Sequence, residues 1–300
     1  MRSIGIVRSF NLAVVPTLLF MASPAAPEPQ KTNWDAIDQA LGRAGTPQAD
    51  GVRRYSFPRT DLHVALDGVT VKPALALGGW LAFQPMGANA IVMGDLVLTP
   101  EEVNPVMSEL LKGGIHVTAI HNHLLRAAPP TVYMHVEGRG DPARLAAGLH
   151  AGLAISHTPP ASPSAAPPPP LDLDTAAVDR IMGKAGKANG GVYQFTFPRA
   201  ETIMDEGMAE PASMGTGTVI NFQPLGGGRV ATTGDFVLLG SEVDPVMREL
   251  RAHEIEVTAL HSHMIGEQPT IYFMHFWAVG PATQLAVGLK AAVDRTNAQR

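Results

Sequence analysis

The sequence predicts an α+β fold made of two tandem copies of one unit, each an antiparallel sheet with helices packed on one face. Three observations lead to this prediction: the length, an internal repeat, and strand-like runs that are followed by helix-like runs. With 300 residues the chain is long enough for about two domains of ordinary size. Hydrophobic residues make up 45% and charged residues only 16%, which excludes a chain that is mainly disordered.

The internal repeat sets the domain organisation. Motifs recur at a constant offset of 140 residues, which is typical of a duplicated unit. The recurring positions include Gly94 and Gly234, Glu102 and Glu242, Val106 and Val246, Thr118 and Thr258, and His121 and His261. The stretch between the copies is rich in proline, alanine and serine, which predicts a semi-rigid extended linker. We therefore place the first repeat at 33–155, the linker at 156–171 and the second repeat at 172–294.

Each repeat is predicted to start with a short helix and to continue with strands. The helix is expected at Trp34–Leu41 in the first repeat and at Leu173–Met182 in the second. Strand-like runs follow at Val52–Phe57, Trp80–Gln84 and Ala90–Leu98. In the last of these runs, successive side chains alternate between the two faces of the predicted strand.

The second half of each repeat is predicted to add two helices around a pair of strands. Asn104 followed by Pro105 predicts a helix start, because Asn is a favourable N-cap and Pro suits the first helical position. The helix is expected to end at Gly113. The remaining elements are an antiparallel strand pair at Ile115–His123 and Thr131–Glu137, and a helix rich in alanine and leucine at Asp141–Gly152.

Residues 1–25 are typical of a secretory signal peptide. Two arginines precede an apolar run from Phe10 to Ala22, and small residues follow it. The run is shorter than the ~20 residues that span a bilayer, and Pro16 interrupts it, which favours a cleaved signal over a membrane anchor. We therefore expect an exported protein, periplasmic or extracellular, that has no membrane span after cleavage.

Charge and cysteine content exclude several classes of function. Lys and Arg number 22 against 27 Asp and Glu, so the chain has no basic surplus to neutralise phosphates and we expect no nucleic-acid partner. The sequence contains no cysteine, which excludes disulfides, thiolate metal sites and cysteine nucleophiles. Imidazole and carboxylate groups remain as the plausible metal ligands.

Histidines give the strongest chemical pattern in the sequence. His121 and His123 are two residues apart, so a strand would direct both side chains to one face. His135 lies in the next predicted strand and can meet this pair across a hairpin. The same spacing recurs in the second repeat at His261, His263 and His275. Three neutral imidazoles suit a divalent transition metal, zinc first and copper or nickel next, with one coordination position left open.

The histidine pattern is also compatible with two roles that need no metal. Duplication alone would copy the histidines without any function, as structural residues or as the lining of a metal-free pocket for a small-molecule ligand. Neighbouring residues differ between the copies, as Asn122 and Ser262 do, while all three histidines are present in both. This difference favours a metal site in each repeat.

Carboxylates are the next candidates for chemistry. The candidate catalytic residues are Asp61, Glu102, Glu201 and Glu242. Asp61 could be a fourth ligand, a partner that orients a histidine, or a general base, but a salt bridge with Arg59 accounts for it equally well. Glu102 precedes the helix predicted at Asn104, and a favourable interaction with the helix N-terminus accounts for it without catalysis. Asp95 could line a site, although an aspartate in a turn or bulge fits the sequence at least as well.

The sequence resembles the LppY/LpqO family of bacterial exported proteins over nearly the whole mature chain. The motifs that carry the resemblance are Arg59-Thr60-Asp61-Leu62, Asp67-Gly68-Val69, Gly94-Asp95-Leu96-Val97-Leu98, Glu102-Val103-Asn104-Pro105-Val106, Thr118-Ala119-Ile120-His121-Asn122-His123 and Tyr133-Met134-His135. The resemblance implies a domain of unknown function that is often duplicated, and no established activity. The lipid anchor of relatives is not carried over because the chain has no cysteine. The second copy departs from the pattern at Ile203-Met204-Asp205, so the resemblance does not imply a fully equivalent second site.

Functions of three classes follow from these observations. The first is a non-catalytic protein that binds a divalent transition metal, and we favour it because no single carboxylate demands a catalytic role. The second is a metal-dependent hydrolase that uses a metal-bound water, and the third is a metal-free module that binds a small molecule. In each case the two repeats can pack together as a pseudo-dimer.

Overall fold

The structure is a computed structural model that describes residues 32–161 and 170–299 together with Met1. Apart from Met1, the predicted signal peptide lies outside the described residues, and so does the centre of the predicted linker. The first repeat contains α1 (Trp34–Leu41), β1 (Thr46–Pro47), β2 (Arg53–Pro58), β3 (Ala65–Leu66), β4 (Val69–Thr70), α2 (Pro73–Ala76), β5 (Gly78–Met86), β6 (Asn89–Leu98), α3 (Pro100–Lys112), β7 (His116–His121), β8 (Val132–Gly140) and α4 (Pro142–Ile155). The second repeat contains α5 (Thr175–Met182), β9 (Lys187–Asn189), β10 (Val192–Pro198), β11 (Ile203–Asp205), β12 (Met208–Glu210), β13 (Gly217–Gly226), β14 (Arg229–Leu239), α6 (Gly240–Ala252), β15 (Glu256–His261), β16 (Ile271–Pro281) and α7 (Ala282–Val293).

Each repeat forms a six-stranded antiparallel sheet, which confirms the predicted fold class. The strand order is β1-β2-β5-β6-β8-β7 in the first repeat and β9-β10-β13-β14-β16-β15 in the second. These two orders are equivalent under the sequence duplication. The longest strands, β6 with β8 and β14 with β16, therefore lie inside their sheets, while β7 and β15 lie at one edge.

Helices cover one face of each sheet. In the first repeat, Val92 and Leu96 of β6 point to this face and pack with Val106 and Leu110 of α3 and Leu149 of α4. All five side chains are almost fully enclosed. Burial of such a side chain stabilises the fold by about 1.5–3 kcal/mol, so this layer is a core in its own right. The second repeat has a matching core under α5, α6 and α7.

The opposite faces of the two sheets pack against each other. Ile91 of β6 lies in one apolar cluster with Val237 of β14 and Phe273 of β16. A second cluster joins Tyr133 of β8 to Trp277 of β16. Because strand residues alternate between faces, the residues between those of the helix-covered core supply this inter-repeat layer. The two repeats thus pack as a pseudo-dimer, with the sheets inside and the helices outside.

Polar contacts also join the repeats beside this apolar layer. The guanidinium of Arg126 lies 3.0 Å from Asp67 of its own repeat and 2.7 Å from Glu256 of the other. The indole nitrogen of Trp277 donates to Asp67 at 3.0 Å. Asp67 therefore accepts from both repeats, although it has no counterpart in the second copy.

The start of α3 differs from the prediction. The helix begins at Pro100 rather than after Asn104, and Pro105 lies inside it. The backbone N–H of Thr99 donates to the carboxylate of Glu102 at 2.9 Å, as in a capping box. Thr99 followed by Pro and then Glu is therefore the stronger start pattern, and the prediction from Asn104 and Pro105 was wrong.

Gly234 allows two central strands of the second sheet to approach closely. A methyl group at this position would overlap the carbonyl oxygen of Val219 in the neighbouring strand. Since backbone cannot yield as a flexible side chain can, we expect Gly234→Ala to lower the free energy of unfolding by about 1–3 kcal/mol. Chemical denaturation measures this loss. Gly217→Ala is the matched control, because its methyl group would meet no atom closer than 3.5 Å, and an equal loss in both variants would contradict the steric explanation.

Candidate metal centre

The strands bring a histidine and an aspartate together in each sheet. His135 of β8 lies opposite Asp95 of β6, and His275 of β16 lies opposite Asp235 of β14, in antiparallel pairing. Side chains of directly opposed residues share one face of a sheet. Both pairs lie on the face that packs against the other repeat.

The edge strands add two more histidines from each repeat. β7 ends at His121, two residues earlier than predicted, and His123 follows it. Their rings nevertheless stack with centroids 5.0 Å apart, and the ring of His135 lies 5.1 Å from that of His121. The hairpin therefore brings the three histidines of the first repeat together, as the spacing predicted.

The histidines of the two repeats form one cluster between the sheets. Ring centroids are 3.6 Å apart for His121 and His261, 3.7 Å for His123 and His275, and 3.4 Å for His135 and His263. Each pair takes one histidine from each repeat. The second and third pairs exchange under the 140-residue offset, so the cluster follows the pseudo-two-fold symmetry of the duplication. We name these six side chains the histidine cluster.

Three sets of side chains in this region have the geometry to hold a cation. In each set the potential ligand atoms lie within 4.8 Å of one another. The sets are His121, His123 and His135; His121, His261 and His263; and Asp235, His263 and His275. The first set belongs to one repeat, as the sequence predicted. The second set draws on both repeats, which the spacing of the histidines did not predict.

The ligand atoms of the cluster are enclosed and unpaired. The Nε2 atoms of all six histidines have no hydrogen-bond partner within the described residues, and the same holds for Oδ1 of Asp95 and of Asp235. An enclosed polar atom without a partner costs about 1–3 kcal/mol, so native proteins contain few of them. Eight such atoms at one place require a physical cause, and the binding of cations would satisfy them.

Backbone carbonyls fix the orientation of some of these rings. Nδ1 of His275 lies 2.9 Å from the carbonyl oxygen of Gly234, which requires Nδ1 to carry the proton and to donate it. In the neutral ring, Nε2 then has a free lone pair. Nδ1 of His121 and of His261 face the carbonyls of their following residues at 3.5 and 3.4 Å. A donor contact on the remote nitrogen is typical of histidines that bind metals.

Burial keeps the imidazoles in their neutral form. It lowers the pKa of His261 to about 4, and burial together with the charge of His261 lowers the pKa of His121 to about 3. The pKa of the more deeply enclosed His135 is also lowered well below its usual value by burial, then by its histidine neighbours. Neutral imidazole is the form that binds metal ions.

The aspartates beside the histidines are also perturbed by burial. Burial raises the pKa of Asp95 to about 8, and it raises the pKa of Asp235 well above its usual value, with a further contribution from the charge of Asp95. Within the described chain, neither aspartate forms an ion pair with a lysine or arginine. The region therefore has two carboxylates but no fixed positive charge against them.

Aromatic rings support the cluster from both sides. Tyr133 stacks on His123 with centroids 3.4 Å apart, and Phe273 stacks on His263 at the same distance. The hydroxyl of Tyr133 donates to the carbonyl of Ala76 at 2.7 Å, which fixes this ring. Tyr133 and Phe273 occupy equivalent positions in the two repeats, and their rings restrict the rotation of the histidines on which they stack.

The candidate catalytic residues of the first repeat contact an arginine instead. The buried guanidinium of Arg59 lies 2.8 Å from Asp61 and 2.7 Å from Glu102. Glu102 also accepts from the backbone N–H of Thr99 and of His157, at 2.9 and 2.8 Å. Burial would raise the pKa of Glu102, but these hydrogen bonds, led by that of Arg59, lower it to about 2.

The second repeat repeats this arrangement. Arg199 lies 2.9 Å from Glu201 and 2.7 Å from Glu242. Asn297 takes the place of His157 and donates its backbone N–H to Glu242 at 2.8 Å. Across the residues that the structure describes, none of the hydrogen bonds or ion pairs of the four candidate carboxylates involves the histidine cluster. Their role in catalysis stays a prediction.

Asp95 and Asp235 lie beside the histidine cluster, but the sequence did not predict them as site residues. A role in a turn or bulge fitted the sequence at least as well as a role in the site. The structure places both inside long strands rather than in turns. The alternation in β6 places Asp95 on one face with Ile91 and Met93, but it did not indicate that this face lies against the other repeat.

A groove of about 450 Å³ also lies at the junction of the repeats. Asp67, Arg229, Glu256 and Trp277 are among the residues that line it, and none of the six histidines does. The groove is therefore separate from the histidine cluster. Across the described residues, no helix has both the length and the apolar character needed to cross a membrane.

Fold and site together define a duplicated α+β protein with a histidine cluster between its two repeats. The chain belongs to the family described as Domain of Unknown Function (DUF1259), which matches residues 35–155 and again residues 176–295. One match falls in each repeat, so the family domain is the duplicated unit. A search of curated proteins finds no match.

A comparison with solved structures gives weak matches, which include two microcompartment shell proteins and EtuB. The trimeric shell protein PduB is 12% identical, with 84% of this chain and 89% of that chain covered and a TM-score of 0.21. EtuB from Clostridium kluyveri is 9% identical, with 83% and 90% covered and a TM-score of 0.20. The double-ringed trimeric shell protein MSM0271 is 10% identical, with 72% and 86% covered and a TM-score of 0.17. Similarity this weak carries no conclusion about function or assembly.

Proposed function

We propose that this protein binds a divalent transition metal, zinc first, through the histidine cluster between its repeats. The observation that carries the proposal is the set of six enclosed Nε2 atoms that have no hydrogen-bond partner among the described residues. Neutral imidazoles are ligands that zinc, copper and nickel all accept, and the chain has no cysteine to compete with them. The proposed centre draws on both repeats rather than on each repeat alone.

Two features of the cluster support a metal site over the two roles that need no metal, a structural role and a pocket for a small molecule. A structural histidine usually satisfies both ring nitrogens by hydrogen bonds, whereas here one nitrogen of each ring is enclosed without a partner. A metal-free pocket would instead need space for a ligand. The stacked pairs, with ring centroids 3.4–3.7 Å apart, are in van der Waals contact and leave no space between the rings for an organic molecule.

The proposed context of this binding is the cell envelope or the extracellular space. The N-terminal pattern of residues 1–25 supports export, and so does the resemblance of the sequence motifs to a family of exported proteins. Fractionation of an expressing bacterium, followed by N-terminal sequencing of the protein in each fraction, tests the export proposal. Cleavage near residue 25 is expected, and an intact N-terminus in the cytoplasm would overturn it.

Metal content measured on the chain without a polyhistidine tag tests the binding proposal. After zinc loading and dialysis, the wild type is expected to retain at least one zinc ion per chain. The double variant His121→Ala and His263→Ala, which removes a potential ligand from each of the three sets, is expected to retain almost none. His150→Ala is the matched control, because His150 is exposed on α4 and lies outside the cluster. Zinc near zero in the wild type, or retained in the double variant, would contradict the proposal.

A further inference from the structure

The histidine cluster and its two aspartates offer more donors than one ion uses. Eight enclosed donors lie there, six imidazole nitrogens and two carboxylate oxygens, whereas zinc in proteins usually takes four ligands. Donors left over around a single ion would remain enclosed without partners, which native proteins rarely tolerate. The donor count therefore favours two cations.

The donors also divide into two sets that share no member. One set consists of His121, His123 and His135, and the other of Asp235, His263 and His275. Asp95 lies beside the first set, with its carboxylate oxygens 3.6 Å from Nε2 of His135 and 3.8 Å from Nε2 of His123. Each repeat thus supplies histidines and one carboxylate, which is enough for one ion.

The two sets are neighbours. His121 belongs to the first set, and its ligand atom also lies within 4.8 Å of those of His261 and His263. The rings of His121 and His261 stack at 3.6 Å close to the pseudo-two-fold axis. Two cations held by these sets would therefore be a few ångströms apart, as in two-metal sites, where the separation is about 3.5–4 Å.

Charge provides a reason for the two carboxylates. Two divalent ions bring four positive charges, and neutral imidazoles offset none of them. Within the described residues, Asp95 and Asp235 are the acidic groups that form ion-pair contacts with the histidine cluster. One carboxylate for each ion reduces the repulsion between the two cations.

We infer that the cluster binds two divalent transition-metal ions side by side, with Asp95 as a ligand of one and Asp235 as a ligand of the other. This inference rests on the proposed metal-binding function and adds the number of ions and their carboxylate ligands. The pseudo-two-fold symmetry relates the two ion positions, so the packing of the two repeats places one ion position of each repeat beside that of the other.

Copper(II) is a suitable probe because both the count and the distance of the ions can be measured. Two copper ions per chain are expected by elemental analysis, with an electron paramagnetic resonance spectrum broadened by coupling between them. No copper would overturn the proposed function and this inference together. One ion per chain would overturn the two-ion inference alone, and two ions with separate, uncoupled spectra would overturn their adjacency.

Aspartate variants test the carboxylate ligands. Asp95→Asn and Asp235→Asn are each expected to weaken the binding of at least one copper ion by about 10–100-fold, since a neutral amide replaces an anionic ligand. Asp141→Asn is the matched control, because Asp141 is the exposed N-cap of α4 and Asn caps a helix equally well. Unchanged affinity for both ions in both variants would overturn the carboxylate assignment.

Discussion

Replacement of Arg59 by methionine is expected to lower the free energy of unfolding by about 3–5 kcal/mol. Arg59 is only 1% exposed, and its guanidinium contacts Asp61, Glu102 and the carbonyl of Val97. Loss of the guanidinium would leave the carboxylate of Glu102 enclosed without its opposite charge. That penalty, rather than the lost attraction itself, is the reason for the large expected effect.

The same ion pair predicts how stability depends on pH. The folded protein holds the pKa of Glu102 at about 2, below its usual 4.5. A carboxyl group with a lowered folded-state pKa stabilises the fold fully above its unfolded-state pKa. Its contribution is therefore present above about pH 4.5 and declines as the pH falls towards 2. The Arg59→Met variant is expected to lose much of this acid-sensitive contribution.

Urea denaturation at several pH values measures both expectations for Arg59→Met. Lys112→Met is the control, because its ion pair with Glu109 is exposed and surface pairs contribute little. Addition of Glu102→Gln to Arg59→Met should recover part of the stability by removing the unpaired charge. Equal stability of Arg59→Met and the wild type at neutral pH would show that the pair does not hold the helix start in place.

Zinc is expected to stabilise the wild-type fold strongly. A ligand that binds only the folded state stabilises it by about 4 kcal/mol at a free concentration 1,000 times its dissociation constant. The enclosed, unpaired Nε2 atoms are the physical reason, since zinc removes their desolvation cost as it binds. We therefore expect a higher midpoint of thermal unfolding with zinc than with a chelator present.

Calorimetry with three samples checks the stabilisation by zinc. The His121→Ala, His263→Ala variant is expected to show almost no shift, because it removes a potential ligand from each of the three sets, and His150→Ala a shift like that of the wild type. Magnesium is the control ion, because it prefers oxygen ligands and should leave the midpoint unchanged. An unfolding midpoint that zinc leaves unchanged in the wild type would contradict a metal centre of useful affinity.

Most of the fold could be predicted from the sequence, but the packing of the two repeats against each other could not. The helix at Trp34–Leu41 and the strands around Ala90–Leu98 were predictable, because local periodicity and the 140-residue repeat determine them. The start of α3 was misplaced because Asn104 and Pro105 imitate a helix start inside a helix that Thr99 already begins. The start of α3 and the helix at Trp34–Leu41 both depend on contacts between residues that are close in sequence.

The position of the histidine cluster depends on packing between distant segments. The spacing of His121, His123 and His135 predicted a triad within one repeat, and the hairpin brings these rings together. The alternation in β6 made both faces of that strand apolar, but it could not identify the other repeat as the partner of the second face. The contact between His121 and His261 therefore could not be derived from spacing.

Zinc titration of His121→Ala and His261→Ala, with a competing chelator of known affinity, tests the central claim most directly. Because these two rings stack at the junction and a set of potential ligands spans both repeats, each substitution is expected to weaken the centre. We predict that each variant loses wild-type affinity for at least one zinc ion. Zinc binding unchanged in number and affinity in either variant would show that the junction histidines are not ligands, and it would contradict a centre shared between the repeats.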